Sequence, residues 1–328
     1  MQQQRLDRVN YLNAGLMIAA AAAAYALPFH VFIFAYALLG PAHYLTEISW
    51  LHDRRYFAQR PRPRAWWLAL VVLTMLVLGA GYVMELPPRY EVGLTWLVFL
   101  TAAFVTFVRR RSLAVGLIAA SIAGLALFST FDSYLIAAYL LVTIVHVFVF
   151  TAAFVLYGAL KSRSTSALVS LAVFALCAIS FFVYAPAGTA PPQMVRGMYA
   201  FFETLNTWLL RLLSFRSTDV YGFDGFKVMR FITFAYTYHY LNWFSKTSVI
   251  RWHEVSKARI ALVIGAWLSV ATIYVFNFEL GIAVAYLLSL LHVLLEFPLN
   301  HQSFAGIARE LRAWAGGTPA VEPSPTRA

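Results

Sequence analysis

Ten apolar stretches follow one another along this chain. They run from 16 to 28 residues, close to the about 20 that a helix needs to cross the ~30 Å hydrocarbon core of a bilayer. They fall near 11–26, 29–51, 65–84, 92–108, 113–130, 133–160, 167–184, 226–250, 260–277 and 280–299. In hydrocarbon every backbone amide must be satisfied within the chain, so only helices or closed barrels are open to such a sequence. Barrel strands would alternate in ~10-residue segments, and no such alternation is found. Only 12% of the residues are charged, half the roughly 25% of soluble domains. The expected fold is therefore all-α: a polytopic transmembrane bundle of about ten spans, forming one domain over 1–315. Residues 194–215, with Arg196, Glu203 and Arg211 among aromatics, are expected to form an interfacial amphipathic helix. Residues 316–328, carrying three prolines, are expected to be disordered.

The net charge of +11 invites a nucleic-acid reading, but the basic residues gather at the ends of the apolar stretches and make no basic face. Membrane topology explains them better. On the ten-span layout nineteen of the 25 Lys and Arg residues lie on the side of the N-terminus, which puts both termini in the cytoplasm of an inner-membrane protein. The Ala-rich start behind Arg5 and Arg8 resembles a signal peptide, yet the chain stays apolar beyond it, so a signal-anchor first span is expected. The single Cys177 lies within an apolar run, which excludes a disulfide framework or a thiolate metal site.

Four histidines lie well inside apolar runs: His43 in GPAHYLTE, His146 in TIVHVFVFT, His239 in TYHYLNWF and His292 in LLHVLLEF. An ionisable side chain at that depth is expensive and marks a functional site until its partner is found. All four lie on spans of one direction, two, six, eight and ten, in the middle or inner half of each, and a shared metal ion would account for that pattern. Glu47 follows His43 by four and Glu296 follows His292 by four, so each acid shares a helix face with its histidine. There it would accept a proton from a ligating imidazole or bind the ion itself. Tyr236, Tyr238 and Tyr240 flank His239, and Asn242 follows it by three. Glu47, Glu296 and Tyr238 are the candidate catalytic residues. His301, just beyond the Glu296 turn, and Asn242 are candidate auxiliary ligands. His30, His52 and His253 sit near span ends, where histidine is unremarkable.

Imidazole and carboxylate without thiolate favour iron over softer metals. No phosphate loop, dinucleotide fingerprint, nucleophile elbow or HExxH is present, nor are the clustered histidine boxes of membrane desaturases. The expected activity is that of a non-haem Fe(II) oxygenase using dioxygen on a long apolar molecule drawn from the bilayer. A proton-coupled transporter with a His/Glu relay and a bis-histidine haem protein are the alternatives. A retinal-binding photoreceptor is disfavoured, since none of Lys161, Lys227, Lys246 or Lys257 lies in mid-span.

The four histidine segments, in their order, resemble the Brp/Blh family of membrane β-carotene 15,15′-dioxygenases. Gly40-Pro41-Ala42-His43 with Glu47 is similar to the family's GxPHGxxDH. His146 follows a run of Ile, Leu and Val as the second family histidine does. TYHYLNWFS aligns His239 with the first histidine of FIHSRRHFS, and His292 through Glu296 to His301 is similar to PHxxxxD followed by a later His. The resemblance implies an iron-dependent cleavage of a carotenoid to retinal, with His43, His146, His239 and His292 as ligands. The chain departs from the pattern at Tyr44, where the family has glycine, at Thr151, near the place of an acid, and at Trp243, in place of a second histidine.

Overall fold

Over its described residues each of the ten apolar stretches is helical in the computed structural model, which describes residues 2–58, 60–84, 88–108, 111–128, 132–246 and 254–316. No strand occurs among the described residues. The helices are α1 (Gln2–Ala26), α2 (Pro28–Asp53), α3 (Pro61–Met84), α4 (Pro88–Phe107), α5 (Arg111–Phe128), α6 (132–162) and α7 (Thr165–Val183). They continue with α8 (Gln193–Tyr199), α9 (Glu203–Leu212), α10 (Phe223–Ser245), α11 (Lys257–Phe276) and α12 (Phe278–Ala315). Eight of them, α1 to α4, α6, α7, α11 and α12, are long and apolar enough to cross a membrane. The expected tail beyond Gly316, the far ends of the fifth and eighth stretches and most of the Arg109–Arg111 turn lie outside the described residues.

The helix α10 is not among these eight, because Arg230, His239, Asn242 and its several Tyr and Thr residues lower its hydropathy as much as Asp224 and Lys227 do, yet it occupies the centre of the bundle. From Gly225 to Asn242 most of its side chains are buried, Thr233, Thr237 and His239 among them. Arg230 is 2% exposed and donates from Nη1 to the Pro186 carbonyl at 2.8 Å. Its guanidinium also lies over the Tyr25 and Phe226 rings. Around this centre α1 packs on α10 and α7, while α12 packs on α2, α4, α6 and α11. Asp7 accepts from the hydroxyls of Ser164 and Ser166, tying α1 to the start of α7. A Cβ added at Gly281 would come within 2.8 Å of the Tyr274 Cα, so its absence is what lets α11 and α12 meet so closely.

Two of the helices carry π turns, which are rare and gather at functional sites. In α2 the turn is Ala35–Leu39, closed by a bond from the Gly40 N–H to the Ala35 carbonyl. Pro41 follows at once and has no N–H for the α-helical bond to residue 37, so the helix widens just before it. In α6 the π turn covers Leu141–Phe150, a run dominated by β-branched residues whose stiff side chains crowd a tight helix.

Two boundaries differ from expectation. The last apolar stretch is expected to end near 299, but α12 continues to Ala315 through Pro298, because a proline's freed carbonyl is tolerated where neighbouring helices surround the backbone. The expected single helix over 194–215 is two short helices, α8 and α9, joined by a turn at Ala200–Phe202. The apolar face of α9 (Leu205, Leu209 and Leu210) is buried in the bundle against α10.

Candidate metal centre

The four inner histidines arrive from four helices. His43 stands on α2 just past its π turn, and His146 inside the π turn of α6. His239 belongs to α10 and His292 to α12. Their rings meet. Centroids are 4.7 Å apart for His43 and His239, and 4.9 Å for His146 and His239. They are 4.9 Å apart for His146 and His292, and 5.2 Å for His43 and His292. His43, His146 and His292 are 1% exposed and His239 is 7% exposed. One ligand atom each from His43, His239 and His292 can be chosen so that all lie within 4.8 Å of one another, and the His146 Nε2 is 3.1 Å from that of His292.

Both expected carboxylates belong to the cluster, by different routes. Glu47 sits beside the histidine of its own helix, with Oε2 3.2 Å from the His43 Nε2. Glu296 reaches across to α6 instead, its Oε2 3.2 Å from the His146 Nδ1. That leaves His146 with one nitrogen against an acid and the other facing inward, the arrangement that fixes the tautomer of ligating imidazoles. His239 is held the same way by a hydroxyl, its Nδ1 2.8 Å from the Thr151 Oγ1. If Nδ1 carries the proton and donates to Thr151, the lone pair is on Nε2, inside the cluster.

Several of these polar atoms have no hydrogen-bond partner: both ring nitrogens of His43, Nε2 of His239, Nδ1 of His292 and Oε2 of Glu296. The 3.2 Å approaches of Glu47 and Glu296 have ion-pair distance without hydrogen-bond angles. Buried polar groups are satisfied in the great majority of proteins, and each exception asks for an absent ion or water. Imidazoles of His43, His239 and His292 with ligand atoms within 4.8 Å of one another, His146 against His292, and two carboxylates at the rim match the donor set of a divalent transition metal.

The rest of the wall comes from side chains whose role is invisible in sequence. Tyr44 stacks on His292, with centroids 4.4 Å apart and planes at 22°, and its hydroxyl is 2.5 Å from that of Tyr240. Trp243 packs edge-on to His43 at 5.6 Å and donates from Nε1 to the Thr46 Oγ1 at 2.9 Å. Tyr44, Thr151 and Trp243, the three points of departure from the Brp/Blh pattern, thus all touch a histidine of the cluster.

Three other candidates are placed elsewhere. Tyr238 turns toward α1, donating to the Asn13 Oδ1 at 3.3 Å and reaching the Asn242 Oδ1 at 3.5 Å. Asn242 takes part in that contact through its Oδ1. His301 donates from Nε2 to the Phe99 carbonyl at 2.9 Å on α4, so it serves that helix contact and does not close the centre from below.

Comparisons with protein-family models, with curated proteins and with solved structures find no match to this chain.

Proposed function

We propose that the chain is an integral-membrane, non-haem iron oxygenase acting on a carotenoid or another long apolar molecule dissolved in the bilayer. The observation that supports this most is the buried meeting of four imidazoles from four helices with nitrogen lone pairs left unpartnered. His43, His146, His239 and His292 would hold the ion. When bound, iron supplies dioxygen activation at an open coordination position. Thr151 and Glu296 orient His239 and His146 for that task, and Glu47 stands ready to take or give a proton at the edge of the centre. Burial of the whole set excludes water, which would otherwise compete for any reactive species. The substrate class, the Brp/Blh relationship and the choice of iron remain part of this proposal. So does the arrangement of ten spans with both termini in the cytoplasm, supported by the basic residues of the even-numbered turns.

A haem is less well supported, because its macrocycle would have to lie around the His146–His292 pair, where His43, His239 and Tyr44 already stand. A proton relay gives no reason for the imidazoles to converge on a point.

Metal analysis of detergent-purified protein tests the proposal. About one equivalent of iron is expected, falling below half in the double variant His146→Ala, His239→Ala. Iron below half an equivalent in the native chain, or unchanged in the double variant, removes its basis.

A further inference from the structure

A cavity of about 960 Å³ opens between α3, α4 and α5, and none of the cluster histidines lines it. Its walls are apolar: Trp66, Trp67 and Leu70 on α3, Phe104 and Val105 on α4, and Ile118 on α5. Trp67 is 2% exposed and donates from Nε1 to the Val98 carbonyl at 3.3 Å, which fixes the inner wall. Thr101, also in the lining, turns its hydroxyl back to the Leu97 carbonyl at 2.6 Å.

One end is basic. Arg60 and Arg62 stand where α3 begins, and Arg60 donates from Nη2 to the Val108 carbonyl at the end of α4. The sequence has no Asp or Glu in 54–84 or in 92–131, so these helices bring basic charge and no acid of their own. Trp66, one turn beyond Arg62 and 79% exposed, suits the level of lipid headgroups, where indole rings gather.

The depth of the cavity selects its occupant. Along α4 the lining runs from Val108 to Leu97, a distance of ~16 Å at 1.5 Å per residue. One leaflet is half of the ~30 Å hydrocarbon core, ~15 Å. A tail whose head sits at the arginines therefore ends near Leu97, whereas a polyene that spans the bilayer would overrun the cavity.

We infer that this cavity binds an anionic phospholipid, its phosphate against Arg62 and Arg60 and one acyl chain between α3, α4 and α5. Basic pockets between membrane helices recognise such headgroups. The inference needs the chain to lie in a bilayer and is independent of the metal centre.

Native mass spectrometry of the detergent-purified full chain reads the headgroup, with phosphatidylglycerol and phosphatidylcholine of identical acyl chains as probes. Phosphatidylglycerol is expected to bind at least ~10-fold more tightly, and Arg62→Gln to remove about fivefold of that, the worth of one basic residue near an anionic head. Equal binding of the two lipids, or an unchanged preference in Arg62→Gln, overturns the inference. Photolabelling reads the depth, in phosphatidylcholine vesicles doped with a phosphatidylglycerol that carries a diazirine at the end of one acyl chain. Adducts are expected around residues 97–101, falling at least ~5-fold in Val105→Trp and Leu70→Trp, which overpack the same space from facing helices. Adducts confined to other helices, or undiminished in a filled variant with a cooperative melt, overturn it. Displacement of the lipid by inorganic phosphate alone, by a carotenoid without a charged head, or by a second copy of the chain overturns it as well.

Discussion

The Nε2 atoms of His146 and His292 face each other at 3.1 Å across the boundary between α6 and α12. Metal–imidazole bonds are ~2.0–2.1 Å long, so two ligands on one ion stand about 2.9 Å apart at a right angle and about 3.4 Å apart at the tetrahedral angle. The observed spacing falls between them. Without an ion, the same contact is a single N–H···N hydrogen bond, in which one ring donates and the other accepts. Loading the centre therefore calls for loss of that proton more than for movement of the helices, and the site is close to its holding geometry.

Thr151→Val keeps the shape of the side chain and removes the oxygen that meets the His239 Nδ1. Loss of such an orienting partner lowers metal affinity by ~10–100-fold, while the folded state loses about 1 kcal/mol. A chelator-competition titration beside a thermal melt separates the two. An affinity within twofold of the native chain contradicts the orienting role.

Glu296→Gln is expected to weaken metal binding by at least ~10-fold, because a carboxylate 3.2 Å from the His146 Nδ1 raises the basicity of the ligating ring and a neutral amide does not. Restoring the charge from the neighbouring turn of α12, in Glu296→Gln with Asn300→Asp, should recover little of it, since the contact depends on reaching α6. Competition titration against the same chelator reads both variants.

Tyr238→Phe is expected to leave metal content and affinity unchanged within about twofold. Its hydroxyl serves Asn13 and Asn242 on the α1 side, so the variant should lose only ~1 kcal/mol of stability. A fall in metal content at unchanged melting temperature would return Tyr238 to the centre.

Gly281→Ala forces a methyl group to within 2.8 Å of the Tyr274 backbone, and the overpacking is expected to destabilise the bundle by about 1–3 kcal/mol. The helix it displaces carries His292, so metal affinity should drop with stability. Unfolding in denaturing detergent, followed with and without metal, checks both.

Much of this arrangement was legible from hydropathy and spacing. Long apolar runs leave the backbone no alternative to helix, and each run is helical over its described residues. The His43–Glu47 pair follows from a four-residue step along one helix and is present as such. The step from His292 to Glu296 identified the right acid but not its partner, because periodicity describes one helix and says nothing of what the next helix inserts alongside. Tyr238 shows the opposite limit. It is adjacent to His239 in sequence, yet one residue along a helix is a turn of about 100°, enough to face α1 instead of the centre. Thr151, Tyr44 and Trp243 stood out in sequence only as departures from a pattern, and their contacts with the histidines came into view only when four helices were set against one another. The π turns left no mark in the hydropathy pattern, although Pro41 carries part of the physical reason for one of them.

Those wide turns also make the centre sensitive to the count of residues as well as their kind. Removing one residue from Ala35–Leu39 or from Leu141–Phe150 while the wide winding is kept would swing everything beyond it by about a quarter of a revolution. His43 with Glu47, or Thr151 with the end of α6, would then point at lipid while each helix kept its length and greasiness. Lineages of this chain should thus accept exchanges within those segments far more readily than insertions or deletions.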